Sequence, residues 1–257
     1  MVHDPTKQLE IEMEESAKMS RTGLSRLTNL SAASFVKSLN YKLLQRKYQN
    51  HGFDKSFSWD WEKTNYNRIA LVNLLVSRRK DPAYLEIGCS SNSLFDSVPA
   101  SQKTGVDPAA GGTVRATSDA FFAQNNQSFD VIFIDGLHEY EQVQRDIVNS
   151  ICFLKPGGYV ALHDMLPCTW VEHHVPRISG AWTGDVWKVA FELAQSKGID
   201  FKIVKIDHGV GVFRLTETKP EVVNLASELK NKEFDYLYNN IGKLPLIEWQ
   251  DFVQWLG

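Results

Sequence analysis

Two hydrophobic rhythms divide the chain. Between residues 64 and 80, Ile69, Val72, Leu75 and Val76 recur three and four positions apart, the spacing of one helix face. Asp81-Pro82 ends that pattern, because the residue before a proline is pushed out of helical backbone. From Ala83 the rhythm changes to short apolar runs: YLEI (84–87), TGV (104–106), TVRA (113–116), DVIFI (130–134) and YVAL (159–162). Runs apolar on both faces suit parallel strands covered by helices. Tyr140, Val143, Ile147 and Ile151 return to helical spacing over 139–154, and Lys155-Pro156-Gly157-Gly158 closes that helix. Together they predict a strand–helix–strand unit. A further helix is expected over 185–197. FKIVKI (201–206) and GVGVFRL (209–215) follow, joined by Asp207-His208-Gly209, a junction short enough for a hairpin.

The expected fold is therefore α/β: a Rossmann-like, doubly wound, mostly parallel seven-stranded sheet ending in an antiparallel hairpin. Residues 1–62 read as an N-terminal helical extension, with an amphipathic stretch over 35–47. Residues 63–216 form the main domain. Residues 217–257 read as a helical C-terminal extension with Trp249, Phe252, Val253, Trp255 and Leu256 on one apolar face. These extensions are candidates for a homo-oligomer interface or a substrate cover.

Composition narrows the class. The 257 residues are 43% hydrophobic and 23% charged, an ordinary soluble balance. A net charge of −3 gives no global bias towards nucleic acid or acidic membranes. Cys89, Cys152 and Cys168 share no metal-type spacing, and so low and odd a count suits a reducing compartment. No apolar run approaches the roughly 18–20 residues needed to span a membrane, and the polar, acidic start is unlike a secretory leader. The expectation is a cytoplasmic protein acting on a small molecule, with neither nucleic acid nor membrane as partner.

Ligands of doubly wound folds sit at the carboxyl ends of the strands. Glu86, Asp107, Asp135 and Asp164 occupy such ends, and Asp119 follows the 113–116 run. Asp107 lies 19 residues beyond Gly88, where an acid takes ribose hydroxyls. The first loop, Gly88-Cys-Ser-Ser-Asn-Ser93, lacks the second and third glycines of a dinucleotide loop. Those glycines admit a pyrophosphate, and an acidic lining repels one. The same lining suits a ligand with ribose hydroxyls, an exocyclic amine and a positive centre, features that S-adenosylmethionine combines without phosphate. Ser90, Ser91 and Ser93 can bond its carboxylate or cap the next helix, and Asn92 tolerates left-handed backbone. The alternative is a plain polar loop.

The ordered set LEIG (85–88), GVDP (105–108), TSDAFF (117–122), FDVIFIDGLHEYEQVQRDI (129–147), LKPGGYVALHD (154–164) and GDVWK (184–188) resembles class I S-adenosylmethionine-dependent methyltransferases. It is most similar to a bacterial subgroup common in polysaccharide and natural-product gene clusters. The resemblance covers roughly residues 64–216 and departs from the usual E-x-G-x-G-x-G in its first loop. It implies that Glu86 and Gly88 line the methionine end of the cofactor, that Asp107 binds the ribose, and that Ser118 and Asp119 lie near the adenine. It also implies a sugar or other hydroxylated acceptor.

Two routes can then remove the acceptor proton. A divalent metal (magnesium, manganese or another) at Asp135, Asp164 and His163 would lower the pKa of a bound hydroxyl. Alternatively His138 or His163 acts as general base, since imidazole titrates near neutrality. Similarity to metal-dependent O-methyltransferases of the catechol type implies one ligand after the DVIFI strand and a pair after YVAL, where His163-Asp164 departs by its histidine. Asp135 can instead cap the helix near residue 139, and His138 can hold loop backbone. His173, His174, Trp170 and Trp182 lie in a loop over 165–183 that is either a substrate lid or variable surface. Trp59, Trp61 and Tyr66 either close over a cofactor or pack the N-terminal region on the sheet. A cephalosporin-hydroxylase-like enzyme and a non-catalytic binding protein are the competing classes.

Overall fold

The computed structural model describes residue 34 and residues 36–257. The readings made for residues 1–33 and for Phe35 lie outside them. The described residues divide into two units, meeting at Asn50 and His51. In the first, residues 36–47 form a helix. The second carries the sheet, and its helices are numbered here from α1.

The strands are β1 (Ala83–Ile87), β2 (Gln102–Val106), β3 (Phe129–Ile134), β4 (Leu154–Leu162), β5 (Ile199–Val204), β6 (Val210–Leu215) and β7 (Leu246–Ile247). They form one sheet in the order β2-β1-β3-β4-β6-β5-β7. All neighbouring pairs are parallel except those made by β6, which runs antiparallel to both β4 and β5. The expected mixed sheet of seven strands with a terminal hairpin is therefore present, with two corrections. Residues 113–116 are not a strand: only Val114 bridges to Val106. Two glycines just before them break the approach, and Val114 is their one apolar β-former. The seventh strand is instead β7, from the segment read as wholly helical. It is two residues long, too short for any periodicity to reveal.

Alternation along the strands sends side chains to two cores. Leu85, Ile87, Ile132, Val160 and Leu162 face one side with α4 (Tyr140–Phe153) and α6 (Trp187–Gln195). Tyr84, Val131, Phe133 and Ala161 face the other, with α1 (Arg68–Ser77) and α9 (Trp249–Leu256). Apolar burial on both faces is what a covered parallel sheet requires. In α1 the expected Val72, Leu75 and Val76 are buried; Leu71 joins them, while Ile69 is half-buried. Asn67 caps this helix by accepting from the Ile69 and Ala70 amides at 3.0 and 3.2 Å. Phe252 and Leu256 of α9 are buried, so this apolar face covers the sheet.

One buried carboxylate ties the amino-terminal ends of the strands together. Asp130 accepts from the Ala83 amide (2.9 Å), Lys155 (2.8 Å) and Arg79 (3.0 Å). Burial raises the Asp130 pKa, but those three donors outweigh it and hold the group below the usual carboxylate range. A depressed folded pKa stabilises the fold at neutral pH, and that contribution is lost as the carboxylate protonates in acid. Asp130→Asn should cost about 1–3 kcal/mol at pH 7. In urea unfolding, the gap to wild type should close as pH falls below about 4. A gap independent of pH would refute the charge argument.

Candidate active site

The carboxyl ends of β1 to β4 open into a cavity of about 680 Å³. Glu86, Gly88, Ser90, Asp107, Ser118, Asp135, His138, His163 and Asp164 all line it. Asp119 does not: it sits on the surface, 3.4 Å from Arg145. The cavity is large enough for a cofactor together with a small second ligand.

The first wall is the glycine-poor loop. Gly88 has φ +88°, and a Cβ there would meet the Asp135 carbonyl oxygen at 2.1 Å, so β1 and β3 approach too closely for any side chain. Beyond it the chain is left-handed at Ser90 (φ 47°) and Asn92 (φ 64°). Asp107 holds that shape by accepting from the Ser90 amide (2.9 Å) and from the Ala109 and Ala110 amides (2.7 and 2.8 Å). An ionised carboxylate offers about four acceptor positions, so one remains on Asp107 Oδ2 for a ligand hydroxyl. The absent glycines are supplied from across the gap. A Cβ at Gly111 would meet Asn92 Oδ1 and the Ser90 carbonyl at 2.5 Å, while the Gly112 amide donates to Asn92 Oδ1 at 2.7 Å. The hydroxyls of Ser91 and Ser93 are left at the cavity edge.

Glu86 is 1% exposed, and the Tyr84 hydroxyl donates to it at 2.5 Å. Burial pushes its pKa up to about 7, against the opposing hydrogen bond from Tyr84, and the nearby Asp135 charge adds to the rise.

The second wall gathers charge. Parallel pairing of β3 with β4 sets Asp135 and Asp164 side by side, as the strand-end reading expected. Asp164 is left-handed (φ 63°), a conformation of a non-glycine residue that costs of order 1–3 kcal/mol and concentrates at functional sites. His138 spans the two acids: Nε2 lies 3.3 Å from Asp135 and Nδ1 lies 3.0 Å from Asp164 and 3.1 Å from the Trp182 carbonyl. His163 Nδ1 lies 3.3 Å from Asp135 and 3.2 Å from Asp164. Its Nε2 is buried and comes only within 3.5 Å of Asp207, an ion-pair distance with no hydrogen bond formed. Asp207 in turn accepts from the Arg68 amide (3.0 Å) and guanidinium (2.9 Å), and Arg68 stands 4.0 Å from Asp135.

Burial would lower the pKa of both histidines, but hydrogen bonds and charge from Asp135 and Asp164 prevail. They raise His138 to about 10 and His163 well above the ordinary range. The same pairing overcomes burial to hold Asp135, Asp164 and Asp207 low. With both imidazoles protonated, the three acids, two histidines and Arg68 sum to zero. With both imidazoles neutral, one divalent cation restores the same balance. The donors fit such an ion. Ligand atoms of Asp135, His138 and Asp164 lie within 4.8 Å of one another, and a carbonyl on the other imidazole nitrogen is the partner that orients ligating histidines. The compact group thus contains His138, while His163, also on the cavity wall, is not one of its three members.

Sequence reasoning missed Arg68, Asp207 and Arg177, all of which belong to this region. Asp207 had a signal, an acid in a tight hairpin turn next to the sheet. Arg68 and Arg177 had none. Trp182, named only as a lid residue, stacks on His138 with ring centres 5.1 Å apart and 18° between planes. His173 and His174 do not line the cavity. His173 accepts from Trp187 Nε1 (2.9 Å) and pairs with Glu233 (2.9 Å). Trp59 and Trp61 stack on each other, and Tyr66 stacks on Trp249.

A six-parallel, one-antiparallel sheet with its cavity at the strand ends defines the Rossmann-like methyltransferase architecture. Residues 41–165 match the family model described as a methyltransferase domain. Those residues, just under half of the chain, carry the pattern of that methyltransferase domain. No curated protein matches the chain. Among solved structures it is similar to the methyltransferase PaMTH1 of Podospora anserina bound to S-adenosylhomocysteine, at 16% identity over 69% of this chain and 97% of that one, with a TM-score of 0.44. It is also similar to MycE from the mycinamycin biosynthetic pathway, in complex with Mg and S-adenosylhomocysteine (14% identity, 66% of this chain, 52% of that one, TM-score 0.39). A third is the N-methyltransferase NodS of Bradyrhizobium japonicum WM9 (16% identity, 58% and 95%, TM-score 0.39).

Glu86 yields a prediction of its own. A raised folded pKa gives stability that is present below the unfolded pKa and lost as pH rises through about 7. Glu86→Gln, which cannot ionise, should therefore gain on wild type by up to about 3 kcal/mol between pH 5 and pH 8 in urea unfolding. A constant difference across that range would refute the buried-acid reading.

Proposed function

We propose that the protein is an S-adenosylmethionine-dependent O-methyltransferase whose acceptor is a small hydroxylated molecule such as a sugar or glycan precursor. A divalent metal at Asp135, His138 and Asp164 belongs to this reading. The observation that carries it is the convergence of those three side chains, from adjacent strand ends, on the wall of a cavity whose opposite wall is the Gly88–Ser93 loop.

Methyl transfer asks a protein mainly to align nucleophile, methyl and sulfur. Ser91 and Ser93, with the free position on Asp107, supply polar groups for the cofactor's amino-acid end and ribose. Ser118 and Gln142, hydrogen-bonded at 3.0 Å, line the far end of the cavity. A bound divalent ion would lower the pKa of an acceptor hydroxyl. Asp135 and Asp164 provide two oxygen donors and His138 one nitrogen, a mixed set that magnesium, manganese or iron accepts. His163, Asp207 and Arg68 hold the two carboxylates in place. The histidine-base route is less well supported. Both nitrogens of His138 face acceptors, as does Nδ1 of His163, so these atoms are set to donate protons.

Calorimetric titration with S-adenosylhomocysteine should reveal binding in the micromolar range, and none at high micromolar concentration would remove the reading. Product mass over a panel of hydroxylated sugars should increase by one methylene. A gain of one oxygen would instead favour a hydroxylase of the same fold. Asp164→Ala should cut turnover by about 100-fold or more and abolish calorimetric Mn²⁺ binding, while S-adenosylhomocysteine affinity changes little. Full activity after thorough chelation would overturn the metal half.

A further inference from the structure

We infer that the acceptor carries an anionic group, a carboxylate or a phosphate, and that Arg177 reads it. This rests on the methyltransferase reading of the cavity and specifies the chemistry of its second ligand.

The basis is a charge census of the cavity wall. Its cationic side chains are Arg68, His138, His163 and Arg177. Three of these are committed to carboxylates: Arg68 to Asp207, and the histidines to Asp135 and Asp164. Among the described residues no carboxylate pairs with Arg177. Its bonds run to main-chain carbonyls of its own loop: Nε donates to Ser179 at 2.9 Å, and Nη2 donates to Gly180. Both hydrogens of Nη1 and one of Nη2 remain, and this edge of the fork is the one that takes carboxylate or phosphate in bidentate fashion.

Arg177 is also positioned. Its guanidinium lies 5.6 Å from the centre of the Trp182 ring. Trp182 is fixed by its stack on His138 and by donating from Nε1 to the His174 carbonyl at 2.8 Å. Below it, Gly184 (φ +61°) lies so close to the His138 carbonyl that a Cβ would stand 1.7 Å from its oxygen, which fixes the loop against the β3 end. At most, the guanidinium–tryptophan and tryptophan–histidine spacings laid end to end separate Arg177 from His138. One sugar unit with an acidic substituent bridges that span, so its anionic group meets Arg177 while a hydroxyl meets the Asp135–His138–Asp164 group. Arg177 is exposed at the cavity wall, and its two main-chain bonds reduce the entropy it would lose on binding an anion. The carboxylates elsewhere on the wall repel an anion, so an acidic group is directed to the Arg177 end.

The test titrates glucose 6-phosphate and glucuronate, with glucose as neutral control, into the full chain saturated with S-adenosylhomocysteine and Mn²⁺. The same titrations are repeated without the cofactor product. Wild type should bind at least one anionic sugar 10-fold or more tighter than glucose. Arg177→Gln should remove that preference and leave S-adenosylhomocysteine affinity within about twofold, and Arg177→Lys should restore part of it. Equal responses to charged and neutral sugars, including none to either, would overturn the inference. So would a 10-fold loss of S-adenosylhomocysteine affinity in Arg177→Gln, which would assign the arginine to the cofactor's own carboxylate. Failure of S-adenosylhomocysteine to bind wild type strikes the methyltransferase reading instead. A preference for the anionic sugars in the product-free arm would survive it.

Discussion

The structure depends on a closed set of buried and half-buried charges. Asp135, Asp164 and Asp207 face His138, His163 and Arg68, and no member of the set can be removed without leaving an uncompensated charge in a largely desolvated place. An unpaired buried ion costs several kcal/mol, so the elements that carry these groups must arrive together. They come from four places: the ends of β3 and β4, the β5–β6 turn, and the first residue of α1. The antiparallel β6 matters for this reason. By running back beside β4 it brings the β5–β6 turn, with Asp207, to the end of the sheet where the ligand cavity lies. Left-handed backbone at Asp164 and Asp207 is the strain that this convergence imposes.

Much of this frame is legible in the chain, for physical reasons. Strands β1, β3 and β4 are apolar on both faces, so their limits and their strand-end acids stand out. The helices between them keep a spacing that exposes a single core face. The sequence is mute where short range fails. A two-residue β7 has no period, and residues 113–116 look extended yet form only one bridge. The ligand set illustrates a subtler limit. His163-Asp164 reads as a neighbouring pair of donors. In the structure one oxygen of left-handed Asp164 lies 3.0 Å from His138 and the other 3.2 Å from His163, so both imidazoles meet the same acid. His138, from the loop after β3, joins the compact group with Asp135 and Asp164, a proximity to Asp164 that chain adjacency does not reveal.

The glycine-poor loop is explained by the same exchange between distant segments. A glycine-rich loop lets backbone fold tightly and approach a ligand closely. Here Ser90 and Asn92 adopt left-handed backbone, and Asp107 anchors that shape through the Ser90 amide. Close approach is provided by Gly111 and Gly112, which face the loop rather than belong to it. The glycine requirement is thus conserved in space and displaced in sequence. Asp107 carries part of that structural role by accepting from three backbone amides.

The loop after β4 links recognition to chemistry. Trp182 contributes its carbonyl to His138 Nδ1 and its ring both to the His138 face and to Arg177. A displacement of this loop would therefore move His138 and the cationic wall together. On the proposed function, acceptor binding and hydroxyl activation would not be separable modules: a ligand engaging Arg177 would stabilise the loop position in which His138 sits between Asp135 and Asp164. Selectivity for such an acceptor would then be expressed as rate as well as affinity, because the contact proposed to recognise it would also preserve the geometry proposed to activate it.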